Sequence, residues 1–316
     1  MAVYTQLNKI ELANFLNNYN LGKLISYFGI IEGIENTNFK LTTDQGNYIL
    51  TLFEKRVNPE DLPFFVNLQI HLSNQGLQCP IPMKDKDNKI INSLCGKKAI
   101  IASLLEGKKI DIPEPEHCFQ VGKIISKFQS IAKKFKQSRK NTLDIKKWKL
   151  IFSKCMNNDN HIYMQLIEPI KNEMKFLEEN WPINLPSGII HGDLFQDNIF
   201  FQNKNLSGLI DFYFSCNDYY AYELAITTNA WCFCKNNKFK KNNFRSLIDG
   251  YQTSSKLNND ELKNYNILLR GAAMRILVTR LHDYLYQPNN AIVIPKDPLE
   301  YFNILNWHQK NSVFDQ

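Results

Sequence analysis

The segment Ile189-Ile-His-Gly-Asp-Leu-Phe-Gln-Asp-Asn-Ile-Phe-Phe201 concentrates the residue types that could do chemistry. Apolar residues lead into His191-Gly-Asp193, four residues follow, and Asn198 stands before a second apolar run. A polar turn, Gln202-Asn-Lys-Asn205, then separates that run from Leu206-Ser-Gly-Leu-Ile-Asp-Phe212. Apolar runs on both sides of a polar turn predict a short hairpin. Asp193 falls in the loop before it, Asn198 at that loop's far end, and Asp211 where the returning strand stops. A hairpin folds its ends together, so the three side chains are predicted to meet. Two carboxylates and an amide offer only oxygen donors, which suit a hard cation such as Mg²⁺ and leave one carboxylate for an incoming hydroxyl. Phosphoryl transfer needs this layout, because its catalysis is mostly positioning and charge neutralisation.

Other elements must hold that loop in place. A first helix reads from about Thr5, with Leu12, Phe15, Leu16 and Tyr19 at helical spacing. Beyond Gly22, Asn38–Thr43 and Asn47–Phe53 alternate as strands around an Asp44-Gln-Gly46 turn. Pro59 opens a second helix that runs to Gly76, and Ala99–Leu105 reads as a buried strand. Residues 1–105 are thus expected to form a small β-rich lobe with a helix. Glu106–Pro113 reads as a connector, and residues 106–316 as a larger helical lobe. Its helices fall at 121–135 and near 161–180, 221–235, 243–254 and 259–286, interrupted by a strand-rich insert at 187–212.

Composition narrows the function classes. The chain has 316 residues, 44% hydrophobic and 12% aromatic, too apolar for disorder. Its longest apolar stretch, Ala99–Leu105, is far short of the roughly 18–20 residues of a membrane span. The first twenty residues lack the apolar core of a signal peptide. Seven scattered cysteines without a C-x-x-C fit reduced thiols in a cytoplasmic protein. The net charge of +7 is spread over short lysine runs rather than one stripe, so no nucleic-acid partner is expected. A membrane or an obligatory protein partner is not expected either.

H-G-D-x-x-x-x-N followed by I-D-F resembles the catalytic segment of the aminoglycoside phosphotransferase-like kinases. The resemblance implies an α+β, two-lobed protein-kinase-like fold using ATP and Mg²⁺. Asp193 would then orient the substrate hydroxyl and take its proton, Asn198 and Asp211 would hold the metal, and His191 would support the loop. The stretch Gly29–Asn38 would cover the phosphates, giving Gly29, Gly33 and Asn36 as nucleotide contacts. Two positions depart from the family's pattern. Thr51 stands where the strand usually carries a basic residue, and the helix Glu that would pair with it falls near Phe65. Lys55 and Arg56 are the nearest cationic substitutes.

Over the whole chain the sequence is similar to one branch of that family, the homoserine kinases of the aminoglycoside phosphotransferase-like type. Met1–Thr5, Gly33–Asn38, Asn47–Arg56, Asp61–Phe65, His191–Asn198, Ile210–Cys216 and Arg275–Asp283 carry the similarity. It implies ATP-dependent phosphorylation of the L-homoserine side-chain hydroxyl to O-phospho-L-homoserine, an early step of threonine biosynthesis. The alternatives are a related kinase acting on choline, an aminoglycoside or another amino alcohol, and a non-catalytic pseudokinase.

Homoserine is a small zwitterion, so its pocket needs a cation for the carboxylate. On the helix from Asn259, Arg280 falls among Ala273, Ile276, Leu277 and Tyr284, with Arg275 at the edge of the stripe. A guanidinium on an apolar face must find an anion. Either a protein carboxylate, Asp283 or Glu223, or the substrate carboxylate can supply it, the latter by a bidentate contact. Asp218 is expected to cap the helix that follows it, and Glu223 to anchor that helix.

Overall fold

The computed structural model describes residues 5–30, 36–54, 57–156, 163–234, 236–287 and 295–315. They fall into two compact units. The first comprises the chain to Gly107 together with Ser207–Tyr213. The second holds Lys108–Leu206 and the described residues that follow Phe214.

In the first unit, α1 (Lys9–Leu16) begins at Asn8 rather than at Thr5. The Asn8 side chain accepts from the Glu11 N–H while the Glu11 carboxylate accepts from the Asn8 N–H, a reciprocal cap that fixes the start. Five antiparallel strands follow: β1 (Leu24–Ile30), β2 (Thr37–Thr43), β3 (Gly46–Leu52), then, beyond α2 (Leu62–Asn74), β4 (Asn92–Leu94) and β5 (Lys97–Ser103). Their order in the sheet is β1-β2-β3-β5-β4, so β3 is central. Thr43 pairs with Gly46 across a turn of Asp44 and Gln45, as the sequence predicts. One 3₁₀ turn, Pro59–Asp61, precedes α2, and the Asn58 side chain caps it. Along β2, Thr37, Phe39, Leu41 and Thr43 are buried and the residues between them half-buried, the period-two signature of a sheet with one covered face. Leu12 and Leu16 pack with Leu41, Leu50, Leu52 and Ile101 in one cluster. Each fully buried leucine contributes about 1.5–3 kcal/mol, and Leu41→Ala would cost about 2–5 kcal/mol.

The second unit opens with α3 (Pro115–Ala132), which buries Val121, Ile124, Ile125, Phe128 and Ala132 of the predicted stripe, while Phe135, expected to end it, lies beyond the helix and is half-buried. Next come α4 (Ile145–Met156) and α5 (Met164–Asn180). The strands β6 (Ser187–Ile190), β7 (Ile199–Gln202), β8 (Asn205–Leu209) and β9 (Cys216–Tyr219) lie between α5 and α6 (Tyr220–Trp231). β7 pairs with β8, and β6 with β9. α7 (Lys241–Gln252), α8 (Asn259–Leu285) and α9 (Pro298–Lys310) complete the unit. All twelve residues of α6 are buried, which makes it the central helix of this unit. α4, α9, β1, β4 and β9 were not expected from the sequence, and Gly29, expected in a loop, lies in β1.

Candidate active site

β6 carries the chain into His191 and is pinned by β9, with Ile190 opposite Cys216. At Gly192 the backbone takes φ +78°, and a Cβ there would sit 2.9 Å from the Phe214 carbonyl oxygen. Only glycine makes this turn without strain. The loop then closes on itself. Phe195 N–H donates to the Asp193 carbonyl at 2.8 Å, and Asn198 N–H to the Phe195 carbonyl at 3.0 Å. Asn198 Nδ2 donates to the Asp193 carbonyl at 2.8 Å and to Asp193 Oδ2 at 2.9 Å. Asn198 is buried, whereas the Asp193 side chain keeps 20% exposure. The carboxylate is therefore oriented and still accessible.

Two helices of the same unit hold this loop from behind. The Glu223 carboxylate, in the first turn of α6, accepts from the backbone N–H groups of His191 and Gly192. Arg275, on α8, donates from Nη1 to the Gly192 carbonyl at 2.6 Å, and its Nη2 lies 3.6 Å from Asp193 Oδ1. Its guanidinium also sits 5.5 Å from the centre of the Phe214 ring. Trp231 Nε1 donates to the Leu194 carbonyl at 2.9 Å. His191 is fully buried beside Phe128. Burial pushes the Glu223 carboxyl up to about 7, against the pull of the two N–H donors and of Arg275. The Asp193 charge adds a smaller push in the same direction.

Asp211 belongs to the first unit, two residues past the end of β8. Gly208, in that same unit, lets the end of β8 approach Gln78: a Cβ there would sit 2.6 Å from the Gln78 carbonyl, which also accepts from Leu209 N–H at 3.0 Å. Asp211 is exposed and holds φ +63°, a left-handed conformation that aspartate tolerates better than most residues. Asn198 and Asp211 offer oxygen alone, the donor chemistry of Mg²⁺. No group of three or more His, Cys, Asp and Glu side chains is placed to hold a metal among the described residues. Each residue by itself offers an oxygen compatible with Mg²⁺, which keeps waters and binds substrate phosphates for much of its shell.

Other expected residues fall as follows. Gly29 lies in β1 opposite Phe39. Asn36 is buried, and its Oδ1 has no hydrogen-bond partner among the described residues. Gly33, Lys55 and Arg56 lie outside the described residues. Arg275, considered above for a substrate carboxylate, is buried and donates to the Gly192 carbonyl of the Asp193 loop. Arg280 Nη1 donates to Glu300 Oε2 at 2.5 Å and to the Asp297 carbonyl at 3.2 Å, so its protein partner is neither Asp283 nor Glu223. Asp218 does not cap α6, whose first turn has no side-chain cap; it accepts from Asn141 Nδ2 at 2.6 Å. Thr51 Oγ1, at the position of the missing strand cation, donates to Asn38 Oδ1 at 2.8 Å. Sequence reasoning missed Lys97, which pairs with Glu54 and Thr5. It also missed Tyr213, although an aromatic directly after Asp211-Phe212 was there to be read.

The chain belongs to the phosphotransferase enzyme family, whose profile matches residues 29–255. Relatives that align over nearly the whole chain narrow the class. A homoserine kinase of Sinorhizobium fredii is 44% identical over 98% of this chain and 95% of its own. One from Agrobacterium fabrum is 45% identical over 98% of this chain and 96% of its own. Among solved structures, an amicoumacin kinase in complex with AMP-PNP and Ca²⁺ shares the fold, with TM-score 0.74 and 11% identity over 97% of this chain and 95% of its own. The protein-kinase-like α+β fold expected from the sequence is thus present. Among the described residues, no helix is long and apolar enough to cross a membrane.

Proposed function

We propose that this enzyme phosphorylates the side-chain hydroxyl of L-homoserine from MgATP, releasing O-phospho-L-homoserine and ADP. The observation that carries the chemistry is Asp193, held by Asn198 on one oxygen, near Arg275 on the other, and still accessible. The 43–45% identity to homoserine kinases supports the substrate. In this reading Asp193 accepts a hydrogen bond from the homoserine hydroxyl and aims its oxygen at the γ-phosphorus. As the new P–O bond forms and the bond to ADP breaks, the hydroxyl proton passes to the Asp193 carboxylate. Asn198 and Asp211 are the proposed Mg²⁺ ligands, and the ion supplies charge neutralisation on the phosphate oxygens. Residues 1–105 are proposed to take the nucleotide and 106–316 the acceptor. Gly29, Gly33, Asn36 and Lys55 are the proposed nucleotide contacts.

Arg280 is the better candidate for the homoserine carboxylate. Among the described residues its hydrogen bonds all leave from Nη1, so Nε and Nη2 can present a fork to an anion. Arg275 serves the loop in this reading. An ADP-release assay across homoserine, serine, choline and an aminoglycoside tests the proposal. Homoserine should give the highest kcat/KM. Preference for choline or the aminoglycoside would replace the substrate, and no turnover on any of the four would indicate a pseudokinase.

A further inference from the structure

The start of α9 lies beside the Asp193 loop, within the second unit. Asp197, four residues past Asp193, is 3.3 Å from Lys296 Nζ. The Phe195 ring meets the ring of Tyr301 with centres 6.4 Å apart. Tyr301 is buried, and the Arg280 guanidinium lies over it, 4.5 Å from the ring centre. Tyr301 therefore links the loop that carries Asp193 to Arg280, the residue proposed above for the substrate carboxylate. Arg280 does not sit there alone. Glu300, the residue before Tyr301, accepts from Arg280 Nη1 on Oε2 at 2.5 Å. Among the described residues this is the one hydrogen bond of the Glu300 carboxylate, which leaves Oε1 available on a side chain 48% exposed. The neighbouring carboxylate is already committed: Asp297 Oδ1 caps α9 through the Leu299 N–H at 2.9 Å and accepts from the Tyr163 hydroxyl at 3.4 Å.

An α-amino acid carries a carboxylate and an ammonium on one carbon, two opposite charges side by side. Arg280 and Glu300 present the complementary pair, the guanidinium fork for the carboxylate and Oε1 for the ammonium. We infer that Glu300 binds the substrate ammonium, which makes the Arg280–Glu300 pair a recognition site for the zwitterionic end of an amino-acid acceptor. The inference rests on the homoserine reading and deepens it, because it assigns the one substrate charge left without a protein partner. Choline or an aminoglycoside brings cations without a carboxylate. Either would set its charge against the Arg280 guanidinium, a like-charge contact that selects against both.

The test compares Glu300→Gln with the parent protein on three acceptors: L-homoserine, 4-hydroxybutyrate, which lacks the ammonium, and 3-aminopropan-1-ol, which lacks the carboxylate. Glutamine keeps an oxygen for Arg280 but loses the charge. Glu300→Gln should raise homoserine KM about 10-fold or more, the scale of one charge-assisted hydrogen bond, with kcat held. It should leave kcat/KM for 4-hydroxybutyrate unchanged and lower that for 3-aminopropan-1-ol as much as for homoserine. A residue that merely braced Arg280 would give another pattern, with equal losses on homoserine and 4-hydroxybutyrate. That pattern, or a parental homoserine KM in Glu300→Gln, would overturn the assignment. Calorimetric titration of ATP-free protein makes the same comparison without turnover: Kd for L-homoserine should rise about 10-fold or more in Glu300→Gln, while Kd for 4-hydroxybutyrate holds. A parent protein that prefers choline to homoserine refutes the homoserine reading and the site with it. One that prefers homoserine, while Glu300→Gln binds homoserine as tightly, refutes the Glu300 site alone.

Discussion

Glu223→Gln should flatten a pH dependence that the parent protein carries in its second unit. Glu223 is fully buried, and folding moves its carboxyl from an ordinary 4.5 up to about 7, chiefly by desolvation. Between those values the folded chain keeps a proton that the unfolded chain has released. Folding then takes up a proton, so stability is highest below about 4.5 and falls as pH rises to about 7. At about 1.4 kcal/mol per pH unit the full interval is worth about 3 kcal/mol. Glutamine keeps an acceptor oxygen for the His191 and Gly192 N–H groups but cannot ionise. Relative to the parent, Glu223→Gln should therefore gain about 2–3 kcal/mol between pH 5 and pH 8. All four tryptophans, Trp148, Trp181, Trp231 and Trp307, lie in the second unit. Urea unfolding followed by intrinsic fluorescence at pH 5, 6, 7 and 8 thus reads the unit that contains Glu223. A stability difference between the two proteins that stays constant to within about 0.5 kcal/mol across that range would refute the reasoning, since it would mean no proton is bound on folding at this site.

Other outcomes are open to simpler measurement. Asp193→Asn should lower kcat by at least about 10²–10⁴ with an unchanged circular dichroism spectrum; near-parental turnover would remove Asp193 from its role. Arg280→Leu should raise homoserine KM about 10-fold or more while ATP KM holds, as expected for a lost charge-assisted fork; steady-state kinetics with each substrate varied decides it. Gly192→Ala forces a side chain into a left-handed backbone and against the Phe214 carbonyl. It should cost about 1–2 kcal/mol or more in stability, visible as a lower Tm by calorimetry.

Much of this arrangement was legible because it rests on local rules. The β2–β3 hairpin follows from alternation around Asp44-Gln-Gly46, and α3 and α8 from long runs at helical spacing. α9 was legible too: Asp297 caps it, Pro298 opens it, and Tyr301, Ile304, Leu305 and His308 sit at helical spacing. α4 was harder, since Trp148, Phe152 and Cys155 are set among lysines that blur the stripe. The contacts of single polar side chains were not legible, because they depend on neighbours far away in sequence. Arg280 finds Glu300 on the next helix, and Asp218 finds Asn141 from a loop seventy-seven residues earlier. A helical projection puts Arg280 within the stripe and Arg275 at its edge, but does not show that the edge residue is the one that binds the Gly192 carbonyl.

The first unit is not continuous in the chain: Ser207–Tyr213 belongs to it although roughly a hundred residues of the second unit intervene. During synthesis, at about 5–20 residues per second, residues up to Gly107 therefore wait on the order of 5–20 s for Ser207–Tyr213. Through that interval Phe53 and Phe65 lack the Tyr213 ring that packs between them in the finished protein. A fragment ending at Gly107 would carry the same vacancy permanently. The Phe53–Tyr213–Phe65 packing thus forms only once the ribosome has made the very segment that bears Asp211.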